Sequence, residues 1–165
     1  MFKNKKLQRG FTLIEILIVI GIIALLATIV IIAINPARQF AQARDTQRTS
    51  NLNAILNAIG QYTADSKGFI PAEITIAPAR NIQNGASNAD LCARLVPTYM
   101  PALTADPTLA DGQIDSTECT AAAGYDTGYT VVKGTTDNRI SVCTRDLPAF
   151  EEPALGRTTP ICVTR

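Results

Sequence analysis

The sequence predicts an α+β protein, with a long N-terminal helix that is apolar in its first half and amphipathic in its second, packed on a small antiparallel β-sheet head. Three observations predict it. Ile16 to Ile34 is a run of nineteen residues without a charge. Apolar residues then recur at three- and four-residue steps as far as Tyr62, the signature of a helix with one buried face. Nearer the C-terminus, two β-branched stretches alternate in the manner of a hairpin. The chain divides accordingly into a basic leader (1–10), an apolar helix (11–34), an amphipathic helix (35–64) and a cysteine-containing globular head (65–165).

Charge sets the orientation of the first elements. Four of the fifteen basic residues, Lys3, Lys5, Lys6 and Arg9, lie in the first ten positions, leaving eleven against fourteen acidic residues beyond. The chain beyond Gly10 is therefore mildly acidic, and its charge indicates no nucleic-acid partner. As a helix, the uncharged run spans roughly 28 Å, about the hydrocarbon thickness of a bilayer. The positive-inside rule keeps the leader cytoplasmic and places Pro36 to Arg165 on the outer side.

Three kinds of segment have this outline. A secretory signal peptide, cleaved near Ala41-Gln42-Ala43, has a shorter apolar core of about 7 to 15 residues. A plain single-pass anchor accounts for length and flanks, but not for Glu15 at the head of the apolar run. A carboxylate in a spanning helix costs on the order of 2.5 to 3.5 kcal/mol at the centre and less near an end, so an intramembrane acid is a functional suspect. If the chain is cut between Gly10 and Phe11, the new α-amino group stands four residues before Glu15, about one helical turn away, and supplies a counter-charge.

Gly10-Phe11-Thr12-Leu13-Ile14-Glu15, between a Lys-rich leader and a long apolar helix, resembles the class III signal of type IV pilins and type II secretion pseudopilins. The resemblance implies that a membrane-embedded prepilin peptidase removes the leader after Gly10 and methylates the amine of Phe11. It also implies that the helix is retained, first as a membrane anchor and then as the packed centre of a filament, with Glu15 meeting the amino terminus of a neighbouring subunit. The implied partners are the peptidase, identical or homologous pilin subunits, an inner-membrane assembly platform and the membrane itself. The implied location is the cytoplasmic membrane, single pass with the head outside, and then an extracellular or periplasmic filament.

Physical reasoning gives Glu15 the same task. Ile and Leu contacts between apolar helices are nearly interchangeable from turn to turn, so register is poorly defined. A buried charge pair defines it, because losing one partner costs about 3 to 5 kcal/mol. The simpler alternatives are neutralisation of Glu15 by the Phe11 amine of its own chain, or protonation in the membrane. Gly10, lacking a side chain, lets a protease approach the backbone closely and keeps the leader from stiffening into helix.

Asn35-Pro36 breaks or kinks the helix. Beyond it Phe40, Leu52, Ile55, Leu56, Ile59 and Tyr62 form the expected inner stripe, while Arg38, Arg44, Asp45 and Arg48 read as a solvated face. Gly68 and Pro71 end the helical pattern. The stretch through Ala89, rich in Ala, Asn, Pro and Gly, reads as connecting loop. A short helix is predicted at 89–95 with Asn88 as N-cap. Tyr99 to Pro107 resembles the pseudopilin loop that carries Leu-Pro-x-Asp-Pro before the sheet, with Thr104 where that pattern has proline. Gly128 to Gly134 and Arg139 to Arg145 read as a hairpin joined through 135–138, with a third strand within 160–165. A small sheet laid on the amphipathic half of the helix gives each an apolar surface to bury.

All four cysteines, Cys92, Cys119, Cys143 and Cys162, fall in the outward head, where disulfides form. Three connectivities are open, and Cys92 with Cys119 and Cys143 with Cys162 are favoured because each closes a local loop. A zinc cluster lacks Cys-x-x-Cys spacing and any His. The absence of His removes the usual triads, and nothing supports an enzyme. No cofactor is expected. Asp106, Asp111, Asp115 and Glu118 are acidic enough to attract calcium, which some pseudopilins hold in a comparable loop, but they lack EF-hand spacing and read as a solvated loop. The reading is a filament subunit. The alternative is a membrane-anchored extracytoplasmic binding or enzymatic domain that never polymerises.

Overall fold

The computed structural model describes residues 10–110, 112–121, 124–146 and 152–165. Two compact units are present, residues 1–39 and 40–165.

Helix α1 runs over Leu13–Ile34, 22 residues, and rises about 33 Å. Its described large apolar side chains range from 46% (Val19) to 83% (Leu13) exposed, on all sides of the helix. A helix apolar on all sides finds no stable place in water and calls for lipid or other helices around it. Among the described residues, Leu13–Ile31 is the one helical stretch long and apolar enough to cross a membrane. The helix stops at Asn35, which takes the left-handed conformation (φ 49°). Its backbone carbonyl and its side-chain oxygen both accept from the Arg38 amide, at 3.1 and 3.4 Å. Pro36 then opens the next helix, where the missing N–H costs nothing.

Helix α2 spans Pro36–Asp65. Ala41, Asp45, Arg48, Leu52, Ile55 and Ile59 are buried along one stripe at alternating four- and three-residue steps. This departs from the expected stripe at two points. Phe40 is 66% exposed and lies outside the core, and the stripe's first half is charged, with Asp45 and Arg48 buried. The helix ends in a Schellman motif, with Lys67 N–H to Ala64 O (3.3 Å) and Gly68 N–H to Thr63 O (2.8 Å). Lys67 takes the left-handed position and Gly68 follows at φ 92°.

Four strands form an antiparallel sheet in the order β1-β4-β5-β6: β1 Arg80–Gln83, β4 Asp126–Lys133, β5 Ile140–Thr144 and β6 Cys162–Thr164. The hairpin register pairs Tyr129 with Thr144, Val131 with Val142 and Lys133 with Ile140. Ile140, Val142 and Thr144 alternate inward along β5, so one face of the sheet is buried. That face shares a core with α2: Tyr129, Val131, Ile140 and Val142 lie in one cluster with Leu52, Ile55, Leu56 and Ile59. The α+β, pilin-like architecture expected from the sequence is present.

Three features of the connecting region differ from expectation. Strand β1 lies in the stretch read as loop. Ile82 is its one apolar residue and is fully buried, and pairing with β4 supplies what composition does not. A second, two-stranded sheet joins β2 (Leu103–Thr104) to β3 (Gln113–Ile114). Helix α3 covers only Cys92–Leu95, and Asn88, the expected cap, instead donates its side-chain amide to Asn84 O at 3.0 Å. Ala89 is drawn into sheet contact through its N–H to Asn81 O, 2.8 Å, which keeps it out of the helix.

Candidate functional site

The first half of the α2 stripe meets two distant segments in a buried ionic cluster. Arg48, 1% exposed, sends Nε and Nη2 to the two carboxylate oxygens of Asp106 (2.7 and 3.2 Å) and Nη1 to Glu152 (2.9 Å) and Asp45 (3.4 Å). Arg44 grips Glu152 with Nε and Nη2, both at 2.7 Å, and Arg157 reaches Asp45 at 2.7 Å. Three arginines face three carboxylates; Arg48 and the three carboxylates are buried, while Arg44 and Arg157 reach in from the partly exposed rim. Asn51, one turn on, donates to Ala105 O (2.8 Å) and to the Tyr129 hydroxyl (3.0 Å). This corrects the reading of Arg44, Asp45 and Arg48 as a solvated face. The spacing 41, 45, 48, 52, 55, 59 places Asp45 and Arg48 on the same helical stripe as Leu52 and Ile55, a signal that periodicity alone contains.

The electrostatics follow from this geometry. The paired hydrogen bond from Arg44 holds the Glu152 carboxyl below its ordinary pKa, against the opposing effect of burial. Burial disfavours the Arg48 charge, but the bonds and charge of Asp106 outweigh it and raise that pKa. Burial also pushes the Tyr129 hydroxyl up to about 12. The cluster ties together α2, the loop after β2, and the segment around the short 3-10 turn Pro153–Leu155.

Asp106 was a calcium candidate, and its oxygens are committed elsewhere. Oδ1 also accepts from the Thr108 amide (2.9 Å) and hydroxyl (2.6 Å), so a cation there competes with Arg48. Asp115 caps its own turn by accepting from the amides of Thr117 (2.7 Å) and Glu118 (3.1 Å), and Glu118 accepts from the Asp115 amide (2.9 Å). Asp111 lies outside the described residues. Among the described residues no group of three or more His, Cys, Asp or Glu is placed to hold a metal. Thr104, where the pseudopilin pattern has proline, sits in β2 opposite Gln113 with its hydroxyl buried and without a hydrogen-bond partner.

Both disulfides are present, Cys92–Cys119 and Cys143–Cys162. The second joins residues directly opposite each other on β5 and β6, pinning a three-residue edge strand to the sheet. It also closes the loop that carries Glu152 and Arg157 into the ionic cluster.

At the other end of the chain, Gly10 is exposed and non-helical, and Phe11 is 80% exposed. Thr12 is the N-cap of α1, its hydroxyl accepting from the Glu15 amide at 3.2 Å. Glu15 is thus the third residue of the helix, in the first turn, where the exposed amides favour a carboxylate. The Gly10–Phe11 bond lies just outside the helix in accessible backbone. The leader residues Lys3, Lys5, Lys6 and Arg9 lie outside the described residues.

The family model for the prokaryotic N-terminal methylation motif matches residues 5–31. The chain carries a prepilin-type signal. That signal marks the type IV pilins and pseudopilins, and it implies processing by a prepilin peptidase and assembly with pilin subunits. Together with α1 it implies anchoring in a membrane. No curated protein and no solved structure matches the chain significantly. The family match therefore covers the signal and apolar helix, and the head is known from its own geometry.

Two outcomes follow for the head of this prepilin-like chain. Arg48→Met strands Asp106 without its counter-charge and costs about 3–5 kcal/mol in urea unfolding, while adding Asp106→Leu recovers most of that loss. Glu152 has a depressed folded pKa, so its contribution is present above the unfolded value of about 4.3 and is lost as pH falls through the folded one. Melting curves from pH 7 to pH 2 will show Glu152→Gln less stable than the parent at neutrality and converging with it in acid.

Proposed function

We propose that this protein is a structural, non-enzymatic subunit of a type IV pilus-like or pseudopilus filament. A prepilin peptidase cuts between Gly10 and Phe11, removing residues 1–10, and the Phe11 amine is methylated. Residues 11–34 then anchor the subunit in the cytoplasmic membrane with the head outside, and later form the filament centre. Residues 35–64 carry the helix into the head, which occupies 65–165.

The observation that carries this reading is the position of Glu15. From Phe11 to Ile34 it is the one charged side chain, on a helix whose apolar groups are exposed all round. In a bundle of such helices the Phe11 amine of a neighbouring subunit is the natural partner for Glu15. A subunit displaced by one turn leaves both charges unpaired at low dielectric, a penalty of about 3–5 kcal/mol. Pairing thereby selects one axial step from many of similar van der Waals energy. Thr12 assists by fixing where the helix begins, and with it the height of Glu15 relative to Phe11.

Mass spectrometry of the mature protein will find an N-terminus at N-methylated Phe11. Glu15→Ala will be inserted and processed normally but will yield few or no filaments by electron microscopy. An intact leader, or normal filament yield from the variant, contradicts the assembly mechanism.

A further inference from the structure

We propose that a groove beside β1 binds a small zwitterion, a free amino acid or a short peptide with both termini unblocked. Two hollows of about 430 and 380 Å3 lie side by side in the segment between α2 and α3, sharing Arg80 and Asn88 as their common wall. Both volumes fall in the range of ligand sites, roughly 300–1,000 Å3.

The charged groups of this groove are of complementary sign. Arg44, Arg48, Arg94, Arg145 and Arg157 are each paired with a carboxylate. Arg80, half-buried in the shared wall, forms no ion pair among the described residues. Its guanidinium is a fork of donors suited to a carboxylate. The second hollow is lined by Glu73 and Asp90. Glu73 gives one oxygen, Oε1, to both bonds from Arg94 (2.9 and 2.7 Å), while Oε2 is buried with no hydrogen-bond partner. Asp90 has one oxygen engaged by the Tyr125 hydroxyl at 2.9 Å. Glu73 Oε2 has no accessible surface and stays out of a ligand's reach, whereas the second Asp90 oxygen has no hydrogen bond among the described residues and can accept from an ammonium, which has three donors. Burial works against the Glu73 charge, but the bond from Arg94 outweighs it and lowers the pKa, so the group is a carboxylate at neutral pH.

A simple cation would meet the carboxylates and face repulsion from Arg80; a simple anion would meet the reverse. A molecule with an ammonium at one end and a carboxylate at the other satisfies both. Asn88, held between the hollows by its side-chain bond to Asn84 O and its backbone N–H to Gly85 O (3.0 Å each), is placed to meet the polar middle of such a ligand. The inference concerns the head alone and stands apart from filament assembly.

The test uses the full-length protein in detergent micelles, with the dipeptide Ala-Ala as probe, followed by calorimetry and amide NMR shifts. The expected result is saturable binding that moves the resonances of residues 73–90. N-acetylation of the dipeptide, amidation of its C-terminus, and the substitution Arg80→Gln each weaken it about tenfold or more. Absence of saturation up to about 10 mM, or equal binding by the blocked dipeptides, overturns the proposal. Arg80 has no ion pair to lose, and an unchanged melting curve will verify that Arg80→Gln remains folded. If that variant does not fold, the blocked dipeptides on the parent protein decide the matter.

Discussion

A helix with apolar side chains on every side and a single carboxylate in its first turn cannot rest in water, and the design of the chain follows from that constraint. Lipid accommodates the apolar surface of α1 without giving it a fixed height. Only a directional, charged contact can define a register among otherwise interchangeable apolar turns. Glu15 is the one group on the helix able to make such a contact. In the proposed function, its placement one turn from Phe11 makes leader removal and charge pairing parts of one mechanism.

The head uses buried charge differently. Its apolar core begins at Leu52 and joins α2 to the inner face of the sheet. On the preceding stretch of α2 the buried stripe has only Ala41 as an apolar residue, and Arg44, Asp45 and Arg48 take over. They hold two segments whose sequence distance from α2 is large, at Asp106 and at Glu152 to Arg157. Burying Arg48 together with Asp45, Asp106 and Glu152 is favourable only because the partly exposed Arg44 and Arg157 and further hydrogen bonds complete the pairing. Such a cluster tolerates no misplaced partner, so it specifies where these loops lie more than it adds to stability. The Cys143–Cys162 crosslink acts on the same loop from its other end.

Much of this was legible in the sequence, for identifiable reasons. The apolar helix, the break at Asn35-Pro36, the β4–β5 hairpin and a strand near Cys162 each follow from local pattern, because period, proline geometry and β-branched alternation act over a few residues. Strand β1 was not legible, since Arg80, Asn81 and Gln83 have little intrinsic preference for a strand and are held there by β4. Helix α3 begins late because Ala89 is recruited to Asn81, a tertiary contact that overrides a good local cap. The buried ionic cluster hid behind the habit of assigning charged residues to solvent. The position of Asp45 and Arg48 on the Leu52 stripe was visible, but their partners Asp106 and Glu152 lie 58 and 104 residues from Arg48.

Because the intersubunit pairing of Glu15 carries the functional account, the most direct measurement separates it from neutralisation within one chain. Filaments assembled from a mixture of 15N-labelled and 13C-labelled subunits report, by solid-state NMR, only contacts between different chains. The account predicts a correlation between the Phe11 amine nitrogen and the Glu15 carboxyl carbon in these mixed filaments. A correlation seen in uniformly doubly labelled filaments but missing from the mixed ones would place the pair inside a single subunit and contradict it.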